Sequence, residues 1–127
     1  MKYVVTSDKS VDEICQAMEE AVPAHKFGIV GIHDLKATMA KKGVEFGNEV
    51  RVFEICNPMK AKSVLEVDMD LASALPCRIS VYKDGGVTKI GMIKPTDMLK
   101  ALNDNPALVA VAEEVEAISI AIIDAVK

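Results

Sequence analysis

The chain has 127 residues and a formal charge of 15 − 19 = −4. Half of it is hydrophobic, which suits the core of one domain and excludes a disordered chain. Aromatics are only 4% and Lys and Arg are not in excess, so a nucleic-acid-binding surface is disfavoured.

Lys2 to Thr6 carries Tyr3, Val4 and Val5 and reads as a first strand. Ser10 with Glu13 forms a capping-box pattern that starts a helix. Val11, Ile14, Cys15, Met18, Ala21 and Val22 recur at helical spacing along its apolar face. Cys15 lies within that stripe as a small buried hydrophobe. Pro23 is expected to end or kink the helix. Phe27 to His33 reads as a strand whose glycines permit close approach of another element. Asp34 caps a short helix, Leu35 to Lys42, and Gly43 is a natural residue to follow it.

Glu49 to Cys56 reads as a strand. Val50, Val52, Glu54 and Cys56 point one way, and Arg51, Phe53 and Ile55 the other. Asn57-Pro58 places Asn at an N-cap and Pro at the first helical position, for a helix reaching about Val67. A loop or short helical turn, Asp68 to Leu75, leads to Pro76. Cys77 to Lys83 alternates as a strand, Asp84-Gly85-Gly86 makes a hairpin turn, and Val87 to Lys94 returns. Pro95-Thr96-Asp97 opens a short helix. Asn105-Pro106 launches the last one, with Leu108, Val111, Ala112, Val115, Ile118, Ile122 and Val126 on its inner stripe. The pattern is an α+β domain: a mainly antiparallel sheet of about five strands packed by helices.

The segment from Met1 to Val5 turns polar too early for a secretory h-region. No apolar run reaches the roughly 20 residues that span a bilayer. Cys15, Cys56 and Cys77 are an odd number, so free thiols are expected rather than a disulfide framework. These features predict a cytoplasmic protein with no membrane partner.

Several pieces together are similar to a known family. They are Phe27-Gly28, Asp34-Leu35 through Lys42-Gly43, Glu54-Ile55-Cys56-Asn57-Pro58 and Leu75-Pro76-Cys77-Arg78. In this order they resemble the domain-of-unknown-function family 302, over nearly the whole chain. Pro95 with Met98 fits a Pro-x-x-Met element of that family, although Lys94 stands where Asn is common. The resemblance implies a small bacterial or archaeal α+β domain with an antiparallel sheet and a long C-terminal helix. It implies no settled activity.

The chemistry-bearing candidates gather around the two later cysteines. If the strands ending at Cys56 and starting at Cys77 are antiparallel neighbours, both thiols sit at one sheet edge. Cys56 precedes a helix N-terminus, whose partial positive charge favours a thiolate. Asn57 caps that helix. Arg78 points away from Cys77 across its strand. Glu54, on the face of Cys56, needs a partner such as Arg78 or a Lys if it is buried. His25 precedes the Phe27 strand and would reach the same edge, with His33 at the other end. Three readings of these residues stay open. They are small buried side chains, or a thiol site for redox or sulfur transfer with Cys77 as the resolving partner. The third is a metal or haem ligand set of Cys56, Cys77 and His25, which lacks CxxC or HxxxH spacing. No GxSxG, P-loop or GxGxxG occurs.

The last helix is apolar around more of its circumference than one buried face needs. Val109, Ile120 and Ala121 widen the arc. A flanking helix, Met98 to Leu102, could cover the surplus. Otherwise it forms a homodimer interface or the wall of an apolar pocket. The sequence therefore favours a non-enzymatic homodimeric domain that binds a small apolar or cofactor-like ligand. Thiol chemistry and a purely structural interaction role are the alternatives. Few rings are available to stack a flat cofactor.

Overall fold

The computed structural model describes residues 1–127. Five strands form one sheet: β1 (Lys2–Ser7), β2 (Gly28–Asp34), β3 (Val50–Cys56), β4 (Cys77–Asp84) and β5 (Val87–Ile93). The order is β1-β5-β4-β3-β2 and every neighbouring pair is antiparallel. The helices are α1 (Val11–Ala24), α2 (Leu35–Lys41), α3 (Pro58–Val67), α4 (Pro95–Leu102) and α5 (Pro106–Val126), with a 3₁₀ turn at Met69–Ala74. The class is α+β, as the sequence predicts.

Local chemistry sets most boundaries. The Ser10 and Glu13 capping box is formed in both directions. Asn57 Oδ1 accepts from Met59 and Lys60 N–H, and Asn105 Oδ1 from Ala107 N–H, each ahead of a Pro at the first helical position. Gly85 and Gly86 turn the β4–β5 hairpin at φ 58° and 81°, values that favour glycine.

Pro23 stands in the last turn of α1, at the end of the helix as expected. The helix runs one residue past it, because a Pro in the last turn removes only one ladder bond. Lys26 makes the stop. At φ 65° it donates its N–H to Pro23 O, while Phe27 N–H reaches Val22 O, closing a Schellman motif.

One face of the sheet carries the core. Phe53, Ile55, Ile79, Val81 and Ile90 are fully buried there against α1 and the C-terminal half of α5. Leu108 and Ala112, in the N-terminal half of α5, join Val64, Leu71 and Leu99 in a second small core beyond the sheet's end. The opposite sheet face has no helical layer of this kind: Val4 and Ile93 stand 41% and 55% exposed on it.

The wide apolar arc of α5 is largely used within the chain. Val111, Ile118 and Ile120 pack on the main core, and no large exposed hydrophobic lies on this helix. Val109 is half-buried and Ala121 is exposed. The two-ended packing explains the width: one helix serves two cores that approach it from different directions.

Candidate functional site: a cleft between two strands

Pairing between β4 and β5 runs from Asp84↔Val87 to Ser80↔Gly91 and stops there. Both strands continue. Glu54↔Arg78 and Ile55↔Cys77 hold β4 to β3, while Tyr3↔Met92 and Lys2↔Ile93 hold β5 to β1. The two central strands therefore part. Between them lies a cavity of about 360 Å³, walled by Arg78, Met92 and Ile93 and closed at one end by Pro76, Pro95 and Met98. Its lining includes Val4, Val52 and Ser80 on the open face and Ser119 of α5 beneath the sheet. The cavity thus passes from the open face toward the helical layer.

Ser119 is the polar feature at its floor. It is 1% exposed, and its Oγ is the only buried side-chain nitrogen or oxygen without a hydrogen-bond partner. A buried hydroxyl left unpaired costs on the order of 1–3 kcal/mol. The cavity's charged lining residues are Lys2 and Arg78, both cationic.

Cys77 lines this cavity and also a second void of about 30 Å³, shared with Cys56 and the start of α3. Cys56 and Cys77 lie at the same end of the paired β3 and β4, and both are half-buried and free. Burial, with a smaller contribution from neighbouring Cys56, pushes the Cys77 thiol up to about 11. The donors of α3 do not serve Cys56. Pro58 has no N–H, and Asn57 takes those of Met59 and Lys60 while its Nδ2 donates to Lys26 O.

A polar cluster crosses three strands on the open face. His33 Nε2 donates to Glu54 Oε1 at 2.5 Å, and Arg78 Nε lies 3.7 Å from Glu54 Oε2. The hydrogen bond from His33 is the main cause holding the Glu54 carboxyl below its ordinary range. Partial desolvation opposes it, and the charges of His33 and Arg78 add to it. Gly31 makes room, since a Cβ there would come within 2.8 Å of Glu54 Oε1. A β-bulge between Ile29 and Gly31 delivers His33. The extra residue shifts the alternation, so Gly31 and His33 join Glu54 and Val52 on the open face.

His25 ends α1, and its Nδ1 donates to Ala21 O at 2.7 Å. No three His, Cys, Asp or Glu side chains come together in a metal-binding group, so Cys56, Cys77 and His25 do not form the ligand set considered from sequence.

A family model described as "Domain of unknown function DUF302" matches residues 3–126. The chain belongs to that family. A solved structure described as "Crystal structure of uncharacterized conserved protein DUF302 from Bacillus stearothermophilus" is 32% identical. The match covers 99% of this chain and 98% of that one, with a TM-score of 0.91. No curated protein matches. The DUF302 membership agrees with the resemblance read from the Cys-Asn-Pro and Leu-Pro-Cys elements.

Two members of this DUF302 chain's site escape sequence reasoning. Ser119 follows Val115 by four residues and precedes Ile122 by three, so its spacing puts it on the buried stripe of α5. That signal was readable. His33 had none, because its direction depends on the bulge.

Proposed function

We propose that this protein is a non-enzymatic binding domain for a small molecule with an aliphatic body, held in the cleft between β4 and β5. The observation that carries the reading is a cavity of about 360 Å³ whose lining includes Ser119, a buried residue with an unpartnered hydroxyl. That volume falls in the range of roughly 300–1,000 Å³ usual for ligand sites. The lining suits the assignment: methionines, prolines and branched aliphatics with a few hydroxyls, and Tyr82 as the single ring. Thiol chemistry is the weaker alternative. Its resolving step needs Cys77 as a thiolate, and burial raises the Cys77 thiol to about 11.

A screen of small aliphatic metabolites by thermal shift and native mass spectrometry tests the reading. A ligand should raise the melting temperature of the wild type. It should fail with Ser73→Trp, an exposed position at the cleft mouth. A wild type that no compound stabilises sinks the proposal.

Homodimerisation is a separate part of the proposal, and its support moves away from Val109, Ile120 and Ala121. The exposed Val4 and Ile93, which also line the cleft, make the open sheet face the better surface for a second copy. Light scattering decides it: a monomer removes this part and leaves the binding reading intact. Three free cysteines support a reducing compartment such as the cytoplasm. No helix is long and apolar enough to cross a membrane.

A further inference from the structure

The cleft's charge pattern narrows the ligand class. The protein is acidic overall, at −4, yet no Asp or Glu lines the cavity while Lys2 and Arg78 do. Lys2 forms no ion pair. Arg78 is ion-paired with Glu54 only through Nε, at 3.7 Å, and its two terminal Nη groups make no hydrogen bond or ion pair within the chain. The two lie on opposite banks of the cleft, Lys2 on β1 and Arg78 on β4. Ser119 stands at the buried end with a hydroxyl that can donate or accept.

From this arrangement we infer that the ligand is an aliphatic carboxylate. Its carboxylate sits at the mouth between Lys2 and Arg78, and its chain passes between the parted strands. A hydrogen-bonding atom at its far end meets Ser119 Oγ. The inference rests on the binding reading above and adds charge and orientation to it. A guanidinium with free donors suits a carboxylate, because two parallel N–H···O bonds can form. The sparse aromatic lining suits a flexible chain better than a flat ring.

Calorimetric titration of the full chain with octanoate, octan-1-ol and octylamine tests the charge. Octanoate should bind roughly tenfold more tightly than octan-1-ol, the scale of one charge-assisted hydrogen bond, and octylamine weakest. The Lys2→Gln/Arg78→Gln variant alters exposed positions only. It should abolish the octanoate preference and leave octan-1-ol unchanged. 8-Hydroxyoctanoate tests the orientation: it should bind more tightly than octanoate, and Ser119→Ala should erase that gain. The inference is overturned if octan-1-ol binds as well as octanoate, if the double variant keeps the preference, or if the hydroxyl brings no gain. In those cases ligand binding blocked by Ser73→Trp still upholds the cleft as a binding site. If none of the compounds binds, this inference and its carboxylate fall, and the wider metabolite screen alone judges the cleft.

Discussion

Cys77 is shaped by burial more than by its neighbours. A thiol raised to about 11 has a thiolate fraction at pH 7 on the order of one in ten thousand. Iodoacetamide labelling followed by peptide mass spectrometry should therefore find Cys77 nearly inert at neutral pH. Its rate should rise by about tenfold for each pH unit up to near its pKa. Labelling at pH 7 as fast as glutathione would contradict the burial. Glu54 makes the opposite case. Its folded pKa lies below the ordinary 4.5, so the unfolded state binds the proton more readily. The stabilisation is full above about that ordinary value and is lost as pH falls through the folded pKa. In urea unfolding, the wild type should exceed Glu54→Gln at pH 5, and the difference should shrink toward pH 3. A constant difference would mean that the carboxylate is not the group responsible.

At the scale of elements, helix starts are the most local decisions in the fold. Asn57 holds two N–H groups of α3 and, through Nδ2, the carbonyl of Lys26. Asn57→Ala should cost about 1 kcal/mol from the lost cap, measured by chemical denaturation. It should also loosen the strained Lys26 turn, so a cost near the top of the usual range, about 2 kcal/mol, is expected. Such starts were legible in the sequence because cap and first turn lie within four residues, as at Ser10, Asn57 and Asn105. The alternation of β3 and β4 was equally legible: it put Glu54 on the face of Cys56 in one strand and Arg78 opposite Cys77 in the other, while the pairing that sets Glu54 beside Arg78 is a property of the fold. The bulge in β2 was not legible. It depends on pairing with β3, so His33 could not be placed beside Glu54 by counting. The parting of β4 and β5 left no trace either. Cys77, Ile79, Ile90 and Met92 alternate just as they would in a fully paired hairpin.

The whole molecule is a sheet backed by two cores, with α5 common to both. Reading α5 as an isolated amphipathic helix gave it surplus apolar surface. Packing from two directions removes most of that surplus, and only the folded arrangement reveals this. The same α5 carries Ser119 beneath the cleft, so the helix that organises the cores also contributes to the site.

The β4–β5 hairpin is fastened at its turn and open at its far end, which gives it the mechanics of a clothes-peg. β1 is paired with β5 on one jaw, while β3 and β2 are joined to β4 on the other. The rungs nearest Gly85–Gly86 are the spring, and those at Ser80 and Gly91 take the load. Amide hydrogen exchange should therefore be slowest near Val81 and Ile90 and quicken toward Arg78 and Ile93. An occupant would grip both jaws, so it should slow exchange most at the open end. Uniform protection along the hairpin would show that the jaws do not move apart.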